Sequence, residues 1–364
     1  MTLTLTTAGE SHGPGLVAIV AGLPAGLRLD ADAIAHDLHR RRQGYGRSPR
    51  QKMEVDELEV LAGLRHGMTL GTPLALLVRN RDHANWEWGM SPWPPEGEPE
   101  GKGAKPVTLP RPGHADLAGV LKFGHDDVRN ALERASARQT AIHVAAGAVA
   151  KALLAEIGVE VAGRVVEIGG ESTEEGWREA TDAARADRDT LGGVVEVVAT
   201  GAPPGLGSYA DKPDRLDARL AAAVMGIQAV KGVEIGDGFA LARARGSAAH
   251  DEIEPDRGRS SNRAGGLEGG VTNGEPLVVR AAMKPLPTLM RPLRSVDLES
   301  GEPGEALVER SDVQAVEALA VVAEAAVAWE LARAAREKFG GDALVDFVGA
   351  HAAYLERIEW PTTP

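Results

Sequence analysis

The chain has 364 residues, 43% hydrophobic but only 4% aromatic, so it can bury a large core packed mainly by alanine, valine and leucine. It has no cysteine, which excludes disulfides, thiol catalysis and thiolate metal sites and fits a reducing, cytoplasmic compartment. A net charge of −13 argues against nucleic acid or an acidic membrane as partner.

The N-terminus MTLTLTTAGESHG has no basic region followed by an apolar one, so no signal peptide is expected. Leu3 to Thr7 alternates and reads as a strand running into Gly9-Glu10-Ser11-His12-Gly13. Gly9-x-Ser11-x-Gly13 matches the nucleophile-elbow pattern, but no oxyanion-hole segment precedes it. His12, next to a glycine, can meet a ligand with little steric hindrance. Leu16 to Val20 reads as a second strand, and the uncharged run to Leu27 is too short to span a bilayer. Asp30 or Asp32 should cap a helix reaching about Arg42. His36 and His39 on that helix have no third ligand at a recognisable spacing, so no metal site is expected. Arg40-Arg41-Arg42-Gln43-Gly44-Tyr45-Gly46-Arg47, with Arg50 beyond, gathers forked donors, and its glycines are expected to let backbone approach a ligand. Clustered guanidiniums in an acidic chain suggest a pocket for a small polyanion.

Residues 84–107, rich in Pro, Gly and Glu and without periodicity, form a long loop of the length expected of a lid. It delivers the chain to Arg111-Pro112-Gly113-His114-Ala115-Asp116, a turn carrying a histidine and a carboxylate. Arg134-Ala135-Ser136-Ala137-Arg138 then sets two guanidiniums and a hydroxyl ahead of an apolar helix over Thr140–Ile157, a ready anion site. Val159–Ile168 and Gly192–Thr200 read as strands, and Thr173–Asp189 as an exposed helix. Gly201-Ala202-Pro203-Pro204-Gly205-Leu206 repeats the Gly-x-Pro-x-Gly-Leu of residues 22–27. Each copy follows a valine-rich strand and precedes an Asp-initiated helix. The chain therefore reads as one domain over 1–364, pseudo-duplicated about residues 1–160 and 161–340. The glycine-rich stretch 258–274 offers unobstructed backbone N–H groups to a planar or phosphorylated ligand, without a Rossmann or P-loop fingerprint. Lys284-Pro285-Leu286-Pro287-Thr288 follows a strand, and Ser311-Asp312-Val313-Gln314 fits a capping box for a helix running to about Phe339.

The motifs GESHG, RRRQGYGR, RPGHAD, RASAR, AVKGVEIG (229–236) and GGLEGGVTNG (265–274), in this order from Thr7 to about Leu331, resemble chorismate synthases. The resemblance implies an α+β fold, a β-α-β sandwich with helices between antiparallel sheets, assembled as a homotetramer. It implies a trans-1,4 elimination of phosphate from 5-enolpyruvylshikimate 3-phosphate, requiring reduced FMN without net redox change. By motif position the substrate ligands are His12, Arg41, Arg47, Arg111, Ser136, Arg138 and Arg310. The flavin contacts are Arg134, Ala135, Ser136, Gln228, Ala229, Gly269, Lys284, Pro285, Leu286, Pro287, Thr288 and Arg310.

A phosphate leaving an allylic carbon gains from protonation, and a histidine with a pKa near neutral suits that task, which points to His12. In the family's proposed mechanism the flavin N5 receives the substrate proton, His114 serves the N1 region and Asp312 sets the N5 protonation state. Leu286 stands where many members have Thr, and Ser311 where some have His. With no nucleotide fingerprint the flavin's reductant is expected from outside, NADPH being the alternative. Two rival readings compete: a serine hydrolase using Ser11, and a non-enzymatic polyanion binder.

Overall fold

The computed structural model of the chain describes residues 2–48, 55–309 and 311–359. Strand β1 (Thr4–Ala8) pairs antiparallel with β2 (Gly15–Ala21), as the alternation requires. Leu16, Ala18 and Val20 of β2 are buried while Ile19, on the opposite face, is 37% exposed. With β3 (Leu58–Ala62) and β4 (Leu74–Arg79) these strands form an antiparallel sheet in the order β1-β2-β4-β3. Helix α1 (Ala31–Arg42) lies between β2 and β3 in the chain. Asp30 is its N-cap, its Oδ1 accepting from the amide of Asp32 at 2.9 Å.

Three helices follow: α2 (Asp116–Phe123), α3 (Arg129–Ala135) and, after a 3₁₀ turn over Ala137–Gln139, α4 (Thr140–Ala155). The second sheet is built from β5 (Glu160–Ile168), β6 (Gly193–Thr200), β7 (Val230–Ile235) and β8 (Leu277–Met283), again antiparallel, in the order β7-β8-β6-β5. In each sheet the fourth strand in chain order lies between the second and the third. Helices α5 (Glu174–Ala186) and α6 (Leu216–Met225) connect its strands; α7 (Val316–Phe339) and α8 (Leu344–Arg357) close the chain.

Helix α4 is buried on nearly every face and packs on the first sheet, while α7 packs on the second. The two helices meet each other, and α1 contacts both, so the layers run sheet, helices, sheet. One cluster of buried apolar side chains runs through all of them, from Leu3 to Phe347. The α+β sandwich expected from the motifs is the fold.

Several local expectations need correction. The capping box at 311–314 does not form. Asp312 is taken by Arg47 and by the amide of Ser48, and the helix begins at Val316, whose amide donates to Oε1 of Gln314 at 2.7 Å. Gly44 and Gly46 do not open the backbone to a ligand. Both have positive φ, and a Cβ would sit 2.6 Å from Oε2 of Glu317 at one and 2.7 Å from Cγ2 of Thr181 at the other. They bring the 43–47 turn against α7 and α5. Helix α5 is amphipathic rather than wholly exposed, burying Thr181 and Ala184.

Candidate active site

A cavity of about 430 Å³ opens where the C-terminal end of α1, the α3–α4 junction, the 111–115 turn, the segment after β8 and the start of α7 converge. Two motifs about 120 residues apart make one wall. The amide of Ser11 donates to the carbonyl of Glu133 at 3.1 Å, and Oγ of Ser136 donates to Oγ of Ser11 at 3.2 Å. GESHG thus lies along the end of α3, which places His12 beside RASAR.

His12 is 6% exposed. Its Nδ1 faces both carboxylate oxygens of Glu133, at 2.8 and 3.0 Å, and a carboxylate there assigns the ring proton to Nδ1. Among the described residues nothing hydrogen-bonds Nε2. The indole of Trp86 stacks on the imidazole, with centroids 4.0 Å apart. The 84–107 loop therefore rests on His12.

His114 has the same kind of backing. Its Nδ1 contacts Asp116, whose carboxylate also accepts from Nε of Arg111 at 2.9 Å and from the Arg111 amide at 3.0 Å. Burial alone would raise the Asp116 pKa, but the contacts with His114 and then Arg111 outweigh it and hold the carboxyl well below the usual range. Arg111 is engaged all round, donating to Thr288 Oγ1 at 2.9 Å and lying 3.5 Å from Glu309. Its guanidinium organises the 111–116 turn.

Arg41 and Arg138 stand together, with Asp56 between them. Nη1 of Arg41 lies 3.2 Å from Oδ2 of Asp56, and Arg138 grips Oδ1. Nε of Arg41 donates to Thr140 Oγ1 at 2.8 Å, and Nε of Arg138 to Asn80 Oδ1 at 2.9 Å, so both forks are held rigidly. Burial, opposed by Asp56 and reinforced by Arg138 and Arg47, pushes the Arg41 pKa down to about 10. Arg41 still carries its charge at neutral pH. Arg47 lies 3.2 Å from Asp312, and its buried Nε has no partner among the described residues.

Of the residues singled out in the sequence, His12, Arg41, Arg47, Arg111, His114, Ala135, Ser136, Arg138 and Asp312 line the cavity. So do Gln228, Ala229, Lys284, Leu286, Pro287 and Thr288. Pro285 does not, although its neighbours do. Arg134 turns outward to Thr7 and the carbonyl of Gly9. Gly269 belongs to the hairpin of Leu267–Glu268 and Val271–Thr272. That hairpin packs on the 201–206 turn, and Gly269 is not among the lining residues. Arg310 and Arg50 lie outside the described residues. Sequence reasoning missed Glu133 and Asp56, which stand behind the wall, and the apolar face that Ala315, Ala318, Leu319 and Val322 of α7 present to the cavity. Glu133 directly precedes RASAR and could have been noticed for that.

The cavity has two characters. One side is cationic, with Arg41, Arg47 and Arg138; another is apolar, with Ile227, Met283 and Leu286 beside the α7 face. Such a site suits a small, multiply anionic substrate held next to a planar apolar group, with two carboxylate-backed histidines to move protons. Fold and cavity together define an α+β sandwich enzyme with a site for a small molecule.

A family model described as chorismate synthase matches residues 3–335. A chorismate synthase of Rubrobacter xylanophilus is 55% identical over 388 aligned residues, covering 99% of this chain and 98% of that protein. One of Desulforudis audaxviator is 53% identical over 386, covering 98% of each. A solved structure titled as a crystal structure of chorismate synthase superposes with a TM-score of 0.78 at 38% identity, covering 99% of both chains. The chain belongs to the chorismate synthase family.

Proposed function

We propose that the protein is a carbon–oxygen lyase that removes phosphate from 5-enolpyruvylshikimate 3-phosphate by trans-1,4 elimination, giving chorismate, the last step of the shikimate pathway to the aromatic amino acids. The observation that carries this reading is the pairing of two carboxylate-backed histidines with a rigid guanidinium cluster in one cavity. In the reaction the allylic C–O bond breaks with its electron pair on the phosphate, and a proton leaves the carbon at the far end of the system. The ring double bond shifts and a second one forms, so there is no net oxidation.

The substrate carries two carboxylates and a phosphate, and Arg41, Arg47 and Arg138 are its anion ligands; the Nε of Arg47, without a partner among the described residues, supports that assignment. Nε2 of His12 gives a proton to the departing phosphate. Arg111 acts through His114 and Thr288, holding the second histidine and the 284–288 segment in place.

The reduced FMN of the family fits the residues present. The Ile227–Met283–Leu286 flank suits the faces of a planar ring system, and Lys284 offers a cation beside it. When bound, reduced flavin supplies electron density to the allylic system as the C–O bond breaks. Gln228, Ala229, Ala135 and Ser136 would hold it, with His114 and Asp312 at its polar edge. We expect the reductant to come from another protein, NADPH being the alternative. We expect a homotetramer, and the apolar outer positions Ile19 and Leu77 of the first sheet favour such a covering.

Titration with oxidised FMN, followed by flavin absorbance with and without 5-enolpyruvylshikimate 3-phosphate, tests the shared cavity. The expected result is that substrate tightens flavin binding and shifts the flavin spectrum. Flavin binding indifferent to the substrate would contradict it.

A further inference from the structure

We propose that Glu133 is a positioning residue of the elimination: it fixes the tautomer and orientation of His12, leaving Nε2 for the leaving phosphate, and sets a carboxylate counter-charge against the ring. The inference rests on the reading of His12 as the proton donor.

Glu133 is 1% exposed and does not line the cavity, so it cannot touch substrate. All its contacts point to one task. It accepts from Nδ1 of His12 through both oxygens and from the His12 amide at 2.8 Å, so ring and backbone are gripped together. Nη1 of Arg129 reaches it at 3.2 Å, and the same guanidinium lies 4.7 Å from the centre of the Trp86 ring. Trp86 stacks on His12 and anchors its indole N–H to Asp82 at 3.0 Å. His12, Trp86, Arg129 and Glu133 therefore form a closed ring, with His83 Nδ1 2.9 Å from the His12 carbonyl. The imidazole can neither flip nor swing without breaking part of this frame.

The charge argument is independent of that geometry. The charged groups that line the cavity with His12, from α1, the 47–48 turn, the 111–114 turn, the α3–α4 junction and the segment after β8, are mainly basic: Arg41, Arg47, Arg111, Arg138 and Lys284, beside the imidazole of His114. Arg129 adds to them from behind, where the imidazole of His83 also lies. Against these stand Asp56, paired with Arg41 and Arg138, Asp116, paired with Arg111, Asp312 and Glu309 in the cavity and, in direct contact with the ring, Glu133. Neighbouring cations strip a proton from a histidine, and an adjacent carboxylate restores it. Burial works to raise the Glu133 pKa, but its bonds to His12, and then Arg129, hold it below the usual carboxylate range, so the counter-charge is present.

The test compares pH profiles of kcat/KM, with reduced FMN supplied, for the parent chain, Glu133→Gln, Glu133→Asp and His12→Ala. The same chains are titrated by the fluorescence difference against Trp86→Phe, because an imidazolium stacked on indole quenches it. Loss of an adjacent opposite charge lowers a pKa by about one to three units. In Glu133→Gln the limb that falls with rising pH should therefore move at least one unit towards acid. Turnover on the alkaline side should drop about tenfold or more and recover at low pH, with KM little changed. The fluorescence titration should move by the same amount, and Glu133→Asp should restore part of both.

A rate lost evenly at every pH, or a limb and titration unmoved while His12→Ala is inactive, would overturn the inference alone. Near-parental turnover in His12→Ala would overturn the donor reading beneath it. If Glu133→Gln does not fold, as judged by thermal unfolding, the pH limb and titration of Glu133→Asp decide in the same way.

Discussion

Asp56 has no exposed side-chain surface and separates two guanidiniums that would otherwise face each other across the cavity wall. Removing one partner of a buried charge pair costs about 3–5 kcal/mol, because the other charges stay buried uncompensated. Asp56→Asn should lower the unfolding free energy by about that much in denaturant titrations. Inorganic phosphate should raise the melting temperature of the variant more than that of the parent, since an anion replaces the missing charge. At the two histidines, His12→Ala and His114→Ala should each cut turnover about a hundredfold or more, the usual scale of lost acid–base help; parental rates in both would remove their assigned roles. The guanidiniums and histidines were legible because each sits in a short motif with its own chemistry. Asp56 was not, because its role exists only in three dimensions: it is 15 residues from Arg41 and 82 from Arg138.

Regular elements followed the apolar periodicity closely, and the departures occurred where side chains were recruited for tertiary contacts. Asp312 looked like part of a helix cap and instead holds Arg47 and the Ser48 amide, displacing the start of α7 to Val316. Local pattern cannot show that a carboxylate has a stronger partner elsewhere. The α4–α7 contact depends on Gly147, where a Cβ would lie 2.3 Å from Cβ of Ala325. Gly147→Ala should therefore destabilise the fold by about 1–3 kcal/mol despite alanine's better helix propensity. Gly349 in α8 has open space around it, and Gly349→Ala should stabilise by about 0.5–1 kcal/mol. Denaturant midpoints of the two variants should move in opposite directions; a shift of the same sign would contradict the packing argument.

Across the whole molecule the two sheets share one strand order, and their turns share one hydrogen-bond pattern. Thr69 Oγ1 donates to the Pro24 carbonyl at 2.6 Å and accepts from the Leu27 amide at 2.9 Å. Thr272 Oγ1 does the same with Pro203 at 2.7 Å and Leu206 at 2.8 Å. We infer from this pairing that the chain arose as a duplicated unit, the meaning first suggested by the Gly-x-Pro-x-Gly-Leu echo. The echo was readable because the turn constrains its own residues; the matching threonines, drawn from distant chain segments, were not.

The helical layer is locked by Glu324, 2% exposed, which takes Arg40 through both oxygens at 2.8 and 2.9 Å, Lys151 at 2.6 Å and the Gly163 amide at 2.8 Å. Burial works to raise its pKa, but Arg40 and Lys151 hold it below the ordinary value. A depressed carboxylate stabilises the fold above its unfolded pKa of about 4.3 and ceases to as pH falls through the folded value. Glu324→Gln should therefore cost about 3–5 kcal/mol at pH 7. The gap to the parent should narrow below about pH 4. A gap independent of pH would contradict the charge assignment.

We infer that this cavity performs a flavin-dependent elimination on a phosphorylated polyanion. Its most direct test is anaerobic phosphate release from 5-enolpyruvylshikimate 3-phosphate with dithionite-reduced FMN, with oxidised FMN and without flavin. Sustained release, with chorismate formed in equal amount, is expected only with reduced FMN. Equal release with oxidised FMN or with none, or no release under any condition, would contradict it.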